Sequence, residues 1–218
     1  MDKRALVQRI KAASRSIDQV YPFPELRSGS LPRSTAVALF AQYQMLSDEF
    51  PKVLCAVAAR LSSDHARMGI ISNLWDEHGR GDIRNSHRAM LQSFMTKFNA
   101  GSEMCRLEPT WQTRLFLNGI GGIAERGSLS EAIGMLLFFE AVTPSQYRAV
   151  IKWLENATAL TGHDFGFWSD HVDHDGDHLR DLLDHTVDHE EVDQTGLLSG
   201  LAQSREIEAI FWRQFVET

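Results

Sequence analysis

The sequence predicts an all-α fold. Apolar residues recur at three- and four-residue spacing through most of its 218 residues, and strong helix-start signals punctuate them. No run of strand-like alternation appears, and no internal repeat. A first amphipathic helix is expected over residues 2–20, and PFPELRSGSLPRS after it reads as a Pro/Gly/Ser-rich connection. From Ser34, an N-cap residue type, the stripe Val37, Phe40, Tyr43, Leu46, Phe50, Val53, Val57 runs on to Leu61. Pro51 is therefore expected to kink this helix rather than end it. Further helices are expected over 64–77, closed by HGRGD, and over 86–98, 110–126, 130–142, 145–160, 164–185 and 195–216. SLSE (128–131) and TPSQ (143–146) read as helix starts, the second with Pro at the first helical position. GIGGIAERG (119–127) lacks a preceding strand and the glycine spacing of a dinucleotide loop, so close helix packing is expected there.

Composition narrows the function classes. The chain is 43% apolar and 23% charged, which suits one domain over 1–218. At this size roughly 70% of the unfolded surface can be buried, so no disulfide or structural metal is needed for folding. Cys55 and Cys105 are far apart and form no CxxC, which reads as structural thiols in a reducing, cytoplasmic setting. The opening MDKRALVQRIKAASRS has no apolar core of signal-peptide length, and nothing approaches the ~18 unbroken apolar residues of a membrane span. Net charge is −7 with Lys and Arg scattered, so a nucleic-acid partner is not expected. The apolar content permits a homodimer.

Carboxylates on apolar faces carry the functional reading. Glu49 has Met45, Leu46, Val53 and Ala56 as its helical neighbours; Glu140 has Ile133, Leu136 and Leu137. A carboxylate buried alone costs several kcal/mol or takes up a proton, so each needs a cation. The bland alternatives are a buried Arg partner or a helix phase displaced by one residue. In FWSDHVDHDGDHLRD (167–181), His171, Asp175 and His178 stand at i, i+4 and i+7, and Phe167 and Leu182 extend the same wedge inward. His174 lies about 60° off that wedge, and His185 and His189 read as solvated. In NLWDEHGRGDIRNSH (73–87), Glu77 closes one helix and His87 opens the next, and the turn between them can fold both back to one centre. On spacing alone Glu77 fits a surface position equally well, and His78 should point elsewhere.

Glu49, Glu77, Glu140 and Asp175 bring four negative charges, and His87, His171 and His178 bring three neutral nitrogens. Two divalent ions would neutralise this set; one would leave −2 in the core. Seven O and N donors without thiolate suit iron or manganese better than structural zinc. No Glu-x-x-His occurs in the chain, which excludes the ferritin-like arrangement.

These residues, taken in order, resemble the haem-oxygenase-like diiron oxidases and oxygenases, relatives of the TenA and PqqC proteins. The resemblance runs from AQYQMLSDEF through NLWDEHGRGDIRNSH and LLFFEAVTP to FWSDHVDHDGDH. It implies a haem-oxygenase-like bundle of seven to nine helices, with two Fe(II) ions held by Glu49, Glu77, His87, Glu140, His171, Asp175 and His178. It also implies O2 as co-substrate and oxidation of a small molecule: N-oxygenation, desaturation or cleavage of an amino-acid-derived substrate in natural-product biosynthesis, or fragmentation of a fatty acid. Residues beside the ligands, Gln42, Met45, Leu46, Ile133, Leu137, Phe167 and Trp168, are candidates for the substrate pocket.

Two other classes remain open at this point. His163-Asp164 and His174-Asp175, with His87 and Asp181, suggest a metal phosphohydrolase but leave Glu49 and Glu140 unexplained. A non-catalytic helical module would bind metal through exposed histidines such as His185 and His189.

Overall fold

A computed structural model of the chain describes residues 3–98 and 108–216, and among these it contains nine α-helices and no strand. They are α1 (Lys3–Ile17), α2 (Phe23–Ser28), α3 (Arg33–Ala58), α4 (Asp64–Glu77), α5 (His87–Lys97), α6 (Trp111–Arg126), α7 (Leu129–Ala157), α8 (Gly166–His185) and α9 (Gln194–Arg213). Short 3-10 turns cover Ile83–Asn85 and Gly162–Phe165. None of these helices is long and apolar enough to cross a membrane.

The central element is α7. Residues 132–140 are buried without interruption, as expected for a helix surrounded on all sides. Its most extensive contacts are with α8 and α9, and α1, α2 and α6 also lie against it. Elsewhere α4 packs along α8, and α6 bridges α3 and α9. An aromatic cluster joins α3, α5, α7 and α8, where Phe40 meets Phe94 and Phe98 edge-on at 5.2 and 5.1 Å and also contacts Trp153 and Trp168.

Most helices follow the expected spans, and the differences have local causes. The connection after α1 contains the short helix α2, closed by Gly29 in the left-handed conformation. Pro32, not Ser34, stands at the N-cap of α3, and α3 runs through Pro51 as expected but stops at Ala58. Residues 130–142 and 145–160 were expected as two helices, yet they form the single helix α7 with Pro144 inside it. Side-chain hydroxyls support the carbonyls around that proline: Thr143 Oγ1 donates to Phe139 O at 2.8 Å, and Ser14 Oγ donates to Ala141 O at 3.2 Å. Only the Ser128–Glu131 start is a true one, with a complete capping box. The glycines at 119–127 lie in helix α6 and its C-cap; the expected close helix packing is met at Gly119, where a Cβ would lie 2.8 Å from Ile207 Cδ1, but not at Gly121, which has nothing within 4 Å. Cys55 is exposed rather than a core thiol, and Cys105 lies outside the described residues.

Candidate metal centre

Four helices bring six of the seven expected ligands together in two triads, and four of them, Glu77, Glu140, His171 and Asp175, line one cavity in the bundle. The end of α4 supplies Glu77 and the first residue of α5 supplies His87. The turn between them folds back sharply. Gly79, Arg80 and Gly81 all have positive φ (73°, 55° and 93°), and a Cβ on Gly79 would lie 2.3 Å from the Asp82 carbonyl. Ser86 then caps α5, accepting from Ala89 N at 3.3 Å. Glu77 Oε1 and His87 Nδ1 end 3.1 Å apart, both buried. His78 points away, its Nδ1 on Leu74 O at 2.8 Å.

The α8 wedge is realised: Phe167, His171, Asp175, His178 and Leu182 are all buried, and His174 at the edge is partly exposed. Glu140 reaches the same site from α7, only 4% exposed. The donor atoms fall into two triads, Glu77/His87/His171 and Glu140/Asp175/His178, and within each they lie within 4.8 Å of one another.

Each histidine has one ring nitrogen tied to an acceptor and the other turned inward. His171 Nδ1 donates to Phe167 O at 2.8 Å, while Nε2 faces Glu77 at 4.0 Å. His87 Nε2 donates to Asp170 Oδ2 at 3.1 Å, and His178 Nε2 donates to Asp76 Oδ2 at 2.8 Å. His178 Nδ1 thus faces Glu140 Oε2 at 3.4 Å and Asp175 Oδ1 at 3.6 Å. Asn73 Nδ2 donates to the other oxygen of Glu140 at 2.7 Å. Outer acceptors of this kind fix tautomer and ring orientation in metal-ligating histidines. Asp76 and Asp170 were not singled out from the sequence. Each directly precedes a ligand, in DE (76–77) and DH (170–171), and that is the signal that could have found them.

The electrostatics fit a cationic occupant. Burial would lower His87 and His178, but it is outweighed. The Glu77 charge and the bond to Asp170 lift His87 to about 10, and bonds to Asp175, Glu140 and Asp76 lift His178 to about 11. Its bond to His87 holds Asp170 at about 2. Burial pushes Asp175 up, with the Glu140 charge adding to it, and burial holds His171 well below its usual value. His87 Nδ1, although 3.1 Å from Glu77, is a buried nitrogen without a hydrogen bond. A buried ligand nitrogen left without a hydrogen bond beside a carboxylate is what a metal ion would satisfy.

Glu49 is a correction. Its side chain is 36% exposed and pairs with Lys52 at 2.7 Å. The face of α3 that lines the cavity carries Tyr43, Leu46, Ser47 and Phe50, so Glu49 lies outside it, the displaced helix phase anticipated above. The charge count changes accordingly. Three carboxylates and two divalent ions give +1; Asp76 and Asp170 behind the histidines bring −2, and Arg80, paired with Asp76 at 2.6 Å, returns the set to neutral.

The expected substrate pocket is only partly right. Leu46 and Phe167 line the cavity, but Gln42, Met45, Ile133, Leu137 and Trp168 do not. Gln42 instead anchors the start of α6, accepting from Thr110 N at 3.1 Å and from Thr113 Oγ1 at 2.7 Å. Ile133, Leu137 and Trp168 are core, and Met45 is partly buried. The sequence reading missed Tyr43, Phe50, Phe116, Phe139, Glu208 and Trp212. The hydroxyls of Tyr43 and Tyr147 bond to each other at the cavity wall, and burial pushes both phenols up. The His-Asp pairs do not converge: Asp164 accepts from Thr161 N at 2.9 Å and pairs with Lys97 at 2.8 Å, away from the triads.

Residues 37–209 match the profile of a family described as "iron-containing redox enzyme". The chain belongs to that family. No curated protein matches it in sequence. Among solved structures it is similar to a CadD-like protein of unknown function from Nostoc punctiforme, with TM-score 0.82, 15% identity, and 100% and 98% of the two chains covered. A domain of unknown function with a heme oxygenase-like fold from Shewanella denitrificans gives 0.80 at 16% identity, covering 100% and 93%. A TenA homolog from Pseudomonas syringae gives 0.76 at 12%, covering 99% and 92%. The fold of this family member is therefore the all-α, haem-oxygenase-like one.

Proposed function

We propose that this iron-containing redox enzyme is a non-haem diiron oxidase or oxygenase that uses O2 to oxidise a small amino-acid-derived molecule, in natural-product biosynthesis. The observation that carries the reading is the pair of triads: three carboxylates and three histidines, each histidine with its outer nitrogen held and its inner one facing a carboxylate. Three donors per ion leave coordination positions open, as catalytic sites require. The absence of thiolate and the mixture of imidazole and carboxylate suit iron.

Glu77, His87 and His171 would hold one ion, and Glu140, Asp175 and His178 the other. When bound, the iron pair supplies the electrons and the open sites for reaction with O2. The protein's part is positional. Asp76 and Asp170 fix the imidazoles, and Asn73 orients Glu140. Phe50, Phe116, Ile120, Phe139 and Trp212 give the cavity a largely apolar wall. Tyr43 and Tyr147, raised by burial, stay protonated and offer neutral O–H groups at its wall. The unconverged His-Asp pairs disfavour the phosphohydrolase.

The test is O2 uptake by iron-loaded protein against a panel of amino acids and their amines. Glu140→Ala and His171→Ala should each abolish substrate-dependent uptake while the protein stays helical. Retained turnover in both variants contradicts the assignment.

A further inference from the structure

One carboxylate in the cavity belongs to neither triad. Glu208 of α9 lines the same cavity as Glu77, Glu140, His171 and Asp175, and it is only 4% exposed. Its Oε1 accepts two hydrogen bonds, from Gln146 Nε2 at 2.6 Å and from Trp212 Nε1 at 3.0 Å. Its Oε2 is shielded from solvent and has no hydrogen-bond partner among the described residues. A buried carboxylate oxygen left without a donor is costly, and such groups in native structures call for an explanation. The two neutral donors hold the carboxyl group in one orientation at the cavity wall and leave the second oxygen without a hydrogen bond.

The chemistry of the cavity selects the missing donor. Among the described residues no Lys or Arg lines it, and none of them supplies a cation to Glu208 there. Its other charged influence is Asp18, which is of like sign. The remaining wall is aromatic and aliphatic, with Phe50, Phe116, Ile120 and Phe139. A ligand that satisfies this arrangement carries an ammonium group at one end of an apolar body, because a charged donor forms the stronger bond to an ionised acceptor. A free carboxylate at that position would face like charge.

We propose that Glu208 is the specificity-determining residue of the cavity, receiving the ammonium group of an amine substrate on its free Oε2. Gln146 and Trp212 are its positioning residues. The assignment rests on the reading of this cavity as the substrate chamber of the metal centre.

The experiment uses anaerobic iron-loaded protein and calorimetric titration with butylamine, hexylamine and 2-phenylethylamine, each against the alcohol and the carboxylate of equal length. The wild-type protein should bind at least one amine ten-fold or more tighter than its alcohol and carboxylate counterparts. Glu208→Gln keeps an acceptor for Gln146 and Trp212 and removes the charge; it should retain helicity and iron content and lose that preference. Amines bound no tighter than their counterparts, including undetectable binding of all three, overturn the assignment, as does an unchanged preference in Glu208→Gln. Should that variant fail to fold, the wild-type comparison alone decides. Iron content measured on the same samples separates the two readings. Glu208-dependent amine binding by a protein that takes no iron overturns the diiron reading alone, and a two-iron protein without amine preference overturns this one alone.

Discussion

Asp170 and Asp76 decide which nitrogen of His87 and His178 faces the inner carboxylates, because an ionised carboxylate can only accept and so fixes the proton on Nε2. Asp170→Asn and Asp76→Asn should therefore each weaken metal binding about 10- to 100-fold, measured by competition with a chelator, with little change in helicity. Glu49→Gln should leave affinity and stoichiometry unchanged, since Glu49 pairs with Lys52 outside the cavity. Its position was misread because Met45 and Ala56, taken as buried neighbours, are only partly buried; the inward stripe centres on 43, 46 and 50. The same neighbour test applied to Glu208 would have found it, with Leu201, Ser204 and Trp212 all buried at i−7, i−4 and i+4. Protonation adds a further check. His87 at about 10 and His178 at about 11 hold their protons at neutral pH without metal, so binding must displace them. Affinity should fall as pH drops from 8 to 6, and calorimetry in buffers of different ionisation enthalpy should report proton release.

At the scale of elements, α8 was legible because one helical wedge carried Phe167, His171, Asp175, His178 and Leu182, a mixture with no other economical explanation. The Glu77–His87 turn was legible in its glycines, whose left-handed backbone folds the chain back. Pro144 misled because TPSQ is locally a good helix start; what keeps α7 continuous is tertiary, including a hydroxyl from α1 on the Ala141 carbonyl. That continuity matters to function, since Glu140 lies one turn before the proline. Contact between α4 and α8 is equally consequential, because it brings Asp76 and Glu77 to His178 and His171. It depends on Gly69, where a Cβ would lie 2.8 Å from the Asp181 carbonyl. Gly69→Ala should destabilise the protein by about 1–3 kcal/mol through overpacking. It should also weaken metal binding, which thermal unfolding with and without added metal would separate.

For the whole molecule, the all-α class and most helix spans followed from periodicity and caps, whereas the cavity wall did not, because it is assembled from residues far apart in sequence. Residues 43, 116, 139 and 212 meet only after α6 and α9 pack beside α3 and α7. The buried charge of that wall also bears on stability. Burial raises Glu208 from 4.5 to about 7, so the folded state binds the extra proton between those values. Stability should fall as pH rises through that window and level off above it, by about 3 kcal/mol at most. Glu208→Gln should remove that part of the pH dependence in denaturant titrations of metal-free protein. The central claim, two irons on two triads, is tested most directly by anaerobic Fe(II) titration of metal-stripped protein followed by rapid mixing with O2. Two irons per chain and a transient visible absorption band are the predicted result. One iron or none, with no band in the presence of amine and amino-acid candidates, would contradict the account.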